Sequence, residues 1–221
     1  LKRFYLKNQF AIWCALREHN VYVRLARVKQ QSPFLCSLLL SLRMRGGPAF
    51  VLRKGSGFNL NNLISIVGPL REKEAKFYSC EIICGLEHLH AMHIVHLDLS
   101  LENVLIADLG HIFITDFDRA YEMSWEPTSW PQRTCLRPDH RRRVDISNVK
   151  HLDFYEDINW EEVMACKLEP HYHPSQIEAR DPYGWGDLDP QDGLLLGAAY
   201  RKCKADKSKR APPCRIDGYE D

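Results

Sequence analysis

The sequence predicts an α+β fold, because one long amphipathic helical segment is followed by short strand-forming runs joined by a turn. Residues 71–92 give the clearest helical pattern, in which four apolar side chains recur at spacings of four, four and three. These four residues are Tyr78, Ile82, Leu86 and Leu89. The apolar pattern then changes period in NVLIA (103–107) and HIFITDF (111–117), and the Asp-Leu-Gly between them is typical of a hairpin turn.

Further elements are predicted on both sides of this helix and hairpin. Two strands are predicted upstream, in SPFLCSLLLSL (32–42) and PAFVLRKG (48–55), and a short helix is predicted downstream, in NWEEVMACKL (159–168). The last part of the chain is polar, with Asp-Pro, Gly and Lys clusters. We therefore expect residues 1–174 to form one domain and residues 175–221 to form a disordered tail.

The composition limits the classes of partner. With 30 basic and 29 acidic residues the net charge is +1, which gives no electrostatic reason to expect a nucleic acid or an anionic membrane. No apolar run reaches the roughly 18–20 residues of a membrane span. The eight cysteines are scattered without a Cys-x-x-Cys motif, so we expect reduced thiols and a cytoplasmic protein. Basic runs at 141–143 and 207–210 would suit a nuclear location, although solvated surface charge explains them more simply.

Oxygen-bearing side chains are concentrated around the predicted hairpin. The loop that follows the long helix holds His96, Asp98 and Asn103, and Asp116 lies where the second hairpin strand ends. This arrangement is expected to bring two acids and one amide from separate loops into one cleft. Such a set would suit one or two magnesium ions, which prefer oxygen ligands.

The same residues carry a resemblance to a known family. HLDLSLEN (96–103) is similar to the catalytic loop of protein kinases, and DFD (116–118), one hairpin later, resembles their magnesium loop. Residues 32–42, 70–90 and 154–174 resemble segments of AGC-group Ser/Thr kinases, particularly the ribosomal-protein kinases. The resemblance implies an incomplete kinase-like fold, with a partial small β lobe, a truncated and mainly helical C-lobe, and an AGC-type tail.

The resemblance implies specific roles for the loop residues. Asp98 would orient the substrate hydroxyl and accept its proton. Asn103 and Asp116 would hold magnesium against the nucleotide phosphates. His96 and Phe117 would be structural, with His96 steadying the loop and Phe117 packing beneath the helix of the small lobe. ATP and Mg²⁺ are thus the implied cofactors, and a protein is the implied substrate or partner.

The nucleotide-binding lysine is expected near the start of the chain. FYLK (4–7) resembles the third-strand pattern of the family, which makes Lys7 the residue expected to contact the α- and β-phosphates. Its partner in an ion pair would be a glutamate on the following helix, and Glu18 is the nearest acid. Glu18 nevertheless lies closer to Lys7 in sequence than the family pattern has it.

Three substitutions separate the chain from the family pattern. Leu97 replaces an arginine that would grip a phosphorylated loop, and Asp118 replaces the glycine of the magnesium loop. Ser100 occupies the position of the catalytic lysine, where it can donate a hydrogen bond but brings no positive charge to the transferred phosphoryl group. Only about 35 residues separate Asp118 from Phe154, so helices that normally build the lower C-lobe are missing.

These features leave more than one function open. The acids and amide of the cleft favour a Ser/Thr protein kinase that transfers phosphoryl groups from ATP to protein hydroxyls. The substitutions and the short C-lobe favour a pseudokinase or truncated isoform that acts as a binding or scaffold module. A third hypothesis is zinc binding by the histidines that crowd the end of the long helix, together with Cys84. Those histidines are His88, His90, His93 and His96.

Overall fold

The computed structural model describes residues 1–122 and 146–174, and this part of the chain is an α+β fold as predicted. The helices are Gln9–Arg27 (α1), Leu60–Val67 (α2), Glu72–Ala91 (α3), Ile146–Val149 (α4) and Trp160–Met164 (α5). The strands are Lys2–Arg3 (β1), Leu38–Met44 (β2), Gly47–Leu52 (β3), Ile94–Val95 (β4), Val104–Ile106 (β5), Ile112–Ile114 (β6) and Tyr121–Glu122 (β7). The predicted tail at 175–221 and both basic runs lie outside the described residues.

A small antiparallel sheet and helix α1 form the first layer. The strand order is β1-β3-β2, so β3 is central and Phe50 on it is fully buried. Helix α1 begins after Asn8, whose side chain accepts a hydrogen bond from the Ala11 N–H at 2.9 Å, as a good N-cap residue does. The edge of the Tyr22 ring on α1 packs against Phe50 with the ring centroids 6.4 Å apart. Aromatic burial therefore fixes this helix on the sheet.

Helix α3 confirms the predicted helix to within one residue at each end. Its buried face differs from the prediction, because Ile83 and Cys84 are buried whereas Ile82 and Leu86 are only half-buried. The cause is that α3 is covered on more than one side, by the β5–β6 hairpin and by the C-terminal segment. A single apolar stripe, which is what a helical period predicts, describes a helix that is covered on one side only.

The hairpin β5–β6 also confirms the prediction. Val104 pairs with Ile114 and Ile106 with Ile112, and Gly110 adopts a φ of 90° in the connecting turn. The Ile114 N–H donates to the Phe34 carbonyl at 2.9 Å, which joins the hairpin to the chain segment before β2. The whole of β6 is buried, and the hairpin lies between α3 and the chain segment before β2.

The other predicted elements are correct in kind but differ in extent. The strand expected at 32–42 begins only at Leu38, because the apolar residues before it are buried against the hairpin rather than paired in the sheet. The second strand lies at 47–52, and the short helix spans only 160–164. The five cysteines that lie in the described residues are free thiols, as expected. Within the same residues, none of the helices combines the length and apolar character needed to cross a bilayer.

The C-terminal segment, residues 146–174, packs along helix α3. The Tyr155 hydroxyl donates to Ser79 Oγ at 3.0 Å, and the Lys76 ammonium lies 2.8 Å from Asp157 Oδ1. Val163 on α5 is 1% exposed and belongs to the main core. This segment therefore covers apolar surface of α3 that the hairpin leaves open.

Gly85 on α3 lies where the helix approaches the rest of the core most closely. A Cβ atom added there would be 3.1 Å from the Phe34 carbonyl oxygen and 3.0 Å from the Ile114 Cδ1. Because that carbonyl is held by the hairpin, we expect Gly85→Ala to destabilise the fold by about 1–3 kcal/mol, although alanine has the higher helix propensity. Urea denaturation measures the change, with exposed Lys73→Ala on the same helix as the control. Unchanged or increased stability would contradict the tight packing.

Candidate functional site

One lysine at the edge of the small sheet joins β1, helix α1 and the loop that follows β6. The Nζ atom of Lys2 lies 2.6 Å from Glu18 Oε2 on α1 and 2.6 Å from Asp116 Oδ1, which follows β6. The Glu18 side chain is completely buried, whereas the Lys2 and Asp116 side chains are 30% and 36% exposed. The site is thus closed on the helix side and open to solvent on the side of Asp116.

The position of Lys2 follows from the pairing of its short strand. In β1, Lys2 is paired with Phe50 of the central strand, and its ammonium lies 5.1 Å from the centroid of the Phe4 ring. An ammonium group has three N–H donors, and the two carboxylates use two of them. The third donor is thus left for another acceptor.

Burial dominates the electrostatics of this ion pair. It raises the pKa of Glu18 to about 7, against the opposing attraction of Lys2, and the charges of Asp116 and Asp118 add to the rise. Burial alone would lower the pKa of Lys2, but the attraction of Glu18 and the hydrogen bonds to both carboxylates raise it overall. One Glu18 oxygen, Oε1, has no hydrogen-bond partner. The negative charge on Glu18 is therefore held at a cost in free energy.

A cluster of three aromatic rings supports the loop that carries Asp116. Phe117 is fully buried, with its centroid 5.2 Å from the Tyr22 ring and 5.4 Å from the His96 ring. The His96 Nε2–H donates to the Thr115 carbonyl at 2.9 Å, and its Nδ1 accepts the Asp98 N–H at 3.3 Å. His96 is therefore neutral, in agreement with the lowering of its pKa by burial. This cluster of rings couples α1 to both loops of the cleft.

The loop before β5 is shaped by its own main-chain contacts. The Asn103 Nδ2–H donates to the Asp98 carbonyl at 2.8 Å, and the Thr115 N–H donates to the Asn103 carbonyl at 2.9 Å. The Asp98 side chain is 43% exposed and lies 3.6 Å from the Arg119 guanidinium. The structure therefore brings Asp98, Asn103 and Asp116 to the same cleft, as the sequence leads us to expect.

Two residues of the cleft have a left-handed backbone. Leu97 has a φ of 63° and Asp116 a φ of 65°. Aspartate tolerates this conformation better than most residues, whereas leucine does not. Strain of this kind persists only where the surroundings impose it, and it is concentrated at functional sites. Here the His96 Nδ1 accepts the Asp98 N–H, so one hydrogen bond closes around Leu97.

The residues of the cleft fit magnesium better than zinc. Asn103 and Asp116 offer an amide oxygen and a carboxylate, and Mg²⁺ is commonly bound by one or two such ligands plus water and phosphate oxygens. Among the described residues, no group of three or more His, Cys, Asp or Glu side chains is arranged to hold a metal ion. The zinc hypothesis therefore gains no support, and both ring nitrogens of His96 are already engaged by Thr115 and Asp98.

The lysine in the cleft is Lys2, whereas the sequence points to Lys7. Lys7 is exposed in the connection between β1 and α1, and Glu18 pairs with Lys2 instead. The expected ion pair thus forms with the predicted glutamate and a different lysine. The spacing could have pointed to Lys2, because Glu18 lies closer to Lys7 in sequence than the family pattern has it. Glu18 follows Lys2 by 16 residues, which is the longer separation.

The three substituted positions all border the cleft. Ser100 and Leu97 are exposed, and the Ser100 side chain makes no capping hydrogen bond to the turn that follows it. The Asp118 carbonyl accepts a hydrogen bond from Arg17 on α1 at 3.0 Å. Burial and the nearby Asp116 raise the pKa of the Asp118 carboxyl. Asp118 thus adds a further carboxyl group close to Asp116.

Glu18 should give the stability of the protein a defined pH dependence. Its folded-state pKa of about 7 lies above the ordinary 4.5, so its contribution to stability is present below about pH 4.5 and is lost as the pH rises through about 7. Relative to Glu18→Gln, we expect the free energy of unfolding of the parent to fall by about 3 kcal/mol over that interval. Chemical denaturation at a series of pH values measures the difference, and a pH-independent difference would contradict the burial of the carboxylate.

Comparison with known proteins identifies the family. The model of the protein kinase domain matches residues 14–153. The chain is 26% identical to 3-phosphoinositide-dependent protein kinase 1 of Caenorhabditis elegans over 216 residues, which are 97% of this chain and 33% of that protein. It is 41% identical to Serine/threonine-protein kinase UCNL of Arabidopsis thaliana over 103 residues, 46% of this chain and 25% of that protein. Identity to Ribosomal protein S6 kinase beta of Caenorhabditis elegans is 40% over 87 residues, 39% of this chain and 16% of that protein.

The chain spans a third or less of the length of each of these relatives. The expected kinase-like fold is confirmed, in an incomplete form, by the family match and by the mixed helix and strand content of the described residues. The relatives are Ser/Thr kinases that include members of the AGC group, as the resemblance implies. This chain belongs to the protein kinase domain family.

Proposed function

We propose that the cleft binds ATP with Mg²⁺ and that the chain transfers the terminal phosphoryl group to a serine or threonine hydroxyl of a protein. The observation that carries this proposal is the double ion pair of Lys2 with Glu18 and Asp116 above the buried Phe117. Three separate parts of the chain meet there. A cation held in this way is positioned to receive an anionic ligand without reorganisation.

Lys2, Asn103 and Asp116 would form the nucleotide side of the site. The remaining N–H of Lys2 would donate to a phosphate oxygen, while Glu18 fixes the direction of the ammonium. Asn103 and Asp116 would hold Mg²⁺, which when bound neutralises negative charge on the phosphates. The amide of Asn103 already donates to the Asp98 carbonyl, so its oxygen is the free ligand atom.

Asp98 would form the protein-substrate side of the site. Its main chain is fixed by His96 on one side and Asn103 on the other, whereas its carboxylate is almost half exposed. An incoming hydroxyl can therefore reach the carboxylate, which would orient the hydroxyl and accept its proton. The Arg119 guanidinium lies 3.6 Å from the same carboxylate.

A second function, nucleotide-dependent binding without turnover, is favoured by two positions in the cleft. Ser100 lies exposed where a lysine would supply positive charge, and Asp118 adds a carboxyl group beside Asp116. Electrostatic stabilisation is the main part of phosphoryl-transfer catalysis, so both changes oppose it. In this case the chain would act as a binding module for another protein.

A thermal-shift titration with ATP and MgCl₂ tests the nucleotide site. We expect saturable stabilisation of the parent that depends on magnesium and is lost in Asp116→Asn. Lys2→Met should weaken ATP binding by about tenfold or more, because a hydrogen bond to a charged group is lost. Lys7→Met is the matched control and should bind as the parent does. A folded parent that shows no shift would refute the nucleotide site.

Transfer of the labelled terminal phosphate of ATP to protein then separates the two functions. Incorporation by the parent that is lost in Asp98→Asn, with ATP binding retained, would support phosphoryl transfer. Magnesium-dependent ATP binding with no incorporation above that of Asp98→Asn would instead support the binding module.

Ser100 should limit the rate of any transfer. We expect Ser100→Lys to raise the rate by about tenfold or more, because it restores a positive charge beside the transferred group. The affinity for ATP with magnesium should change far less. Ser100→Gln, which adds length without charge, is the matched control, and an equal gain from both variants would contradict the electrostatic explanation.

A further inference from the structure

A second charged contact fastens helix α1 one and a half turns beyond Glu18. The Arg24 Nη1 donates to Glu122 Oε2 at 2.6 Å, and its Nη2 donates to the Met92 carbonyl. The Glu122 side chain is only 10% exposed, and its second oxygen, Oε1, has no hydrogen-bond partner. Removal of Arg24 would therefore leave a largely buried carboxylate with no compensation.

Both acceptors of Arg24 are fixed by secondary structure. Glu122 pairs with Ile94 in the antiparallel β4–β7 ladder. Met92 is the C-cap residue of α3, where unpaired carbonyls concentrate negative charge. The planar guanidinium thus joins the end of α3, strand β7 and helix α1 through two donors of one rigid group.

Arg17 makes a parallel contact two turns earlier on the same face of α1. Its Nη1 donates to the Asp118 carbonyl at 3.0 Å. Residues seven apart lie on one side of a helix, so Arg17 and Arg24 both face the segment 116–122. Together they hold that segment along the helix, and Arg24 does so through an ion pair with Glu122.

We propose that Arg24 and Glu122 are a positioning pair that holds helix α1 where Glu18 reaches Lys2. The inference rests on the proposed function, since Lys2 and Glu18 form its nucleotide site. Both charges belong to unmodified side chains, so the pair holds α1 without phosphorylation. This agrees with Leu97, which cannot grip a phosphorylated loop.

Hydrogen exchange of the backbone amides tests the pair without any ligand. In Arg24→Gln and in Glu122→Gln, we expect amides of α1 and of 116–122 to exchange about tenfold faster than in the parent, with α3 little changed. In the double variant these amides should exchange no faster than in the less affected of the two single variants, because the double variant leaves no unpaired charge. Arg27→Gln, an exposed arginine in the same last turn, is the matched control and should match the parent.

Two results would overturn the proposal. One is unchanged exchange in α1, and the other is an equal rise in α1 and α3, which would show only a general loss of stability. If Arg24→Gln does not fold, Arg24→Lys provides the same test, since lysine keeps the charge but lacks the two-pronged geometry. Arg24→Lys should give the same regional increase in amide exchange, but a smaller one. Exchange like that of the parent would count against the pair.

The affinity for ATP with magnesium links the pair to the nucleotide site. We expect Arg24→Gln to raise the Kd by about tenfold, whereas Arg27→Gln should leave it unchanged. If the parent binds no ATP, the proposed function fails while hydrogen exchange still decides the positioning pair. If the parent binds ATP and Arg24→Gln binds equally well, the positioning pair fails while the proposed function stands.

Discussion

An ammonium group held between two carboxylates connects three parts of this fold that lie far apart in the sequence. Lys2 comes from a two-residue strand, Glu18 from a helix and Asp116 from a loop 114 positions further along the chain. Without Lys2, Glu18 would be an isolated buried charge, and Asp116 would lose the cation that it shares with Glu18. The geometry of the cleft therefore depends on all three elements being in place at once.

The cluster of three aromatic rings explains how this polar contact is kept in position. Phe117 is fixed between Tyr22 and His96, so the left-handed backbone of Asp116 next to it has little freedom to relax. Both ring nitrogens of His96 in turn form hydrogen bonds, one to each loop of the cleft. Apolar packing thus sets the direction of the polar side chains, which is what a preorganised site requires.

Short-range sequence patterns predicted the elements whose formation depends on neighbouring residues. Helix α3, the β5–β6 hairpin and the meeting of Asp98, Asn103 and Asp116 follow from periodicity, turn chemistry and spacing. The sequence did not identify Lys2, because a strand of two residues has no readable period and its partners are distant. Arg24 was also missed, since its role depends on Glu122, and no short-range pattern links two residues 98 positions apart.

The C-terminal segment on α3 has a consequence for synthesis of the chain. The hydroxyl of Tyr155 bonds to Ser79, 76 residues earlier, so helix α3 leaves the ribosome well before the segment that covers it. At translation rates of about 5–20 residues per second, that interval is on the order of 4–15 s. During this time an apolar flank of the helix is not yet covered, and exposed apolar surface of this kind favours aggregation until residues 146–174 are synthesised.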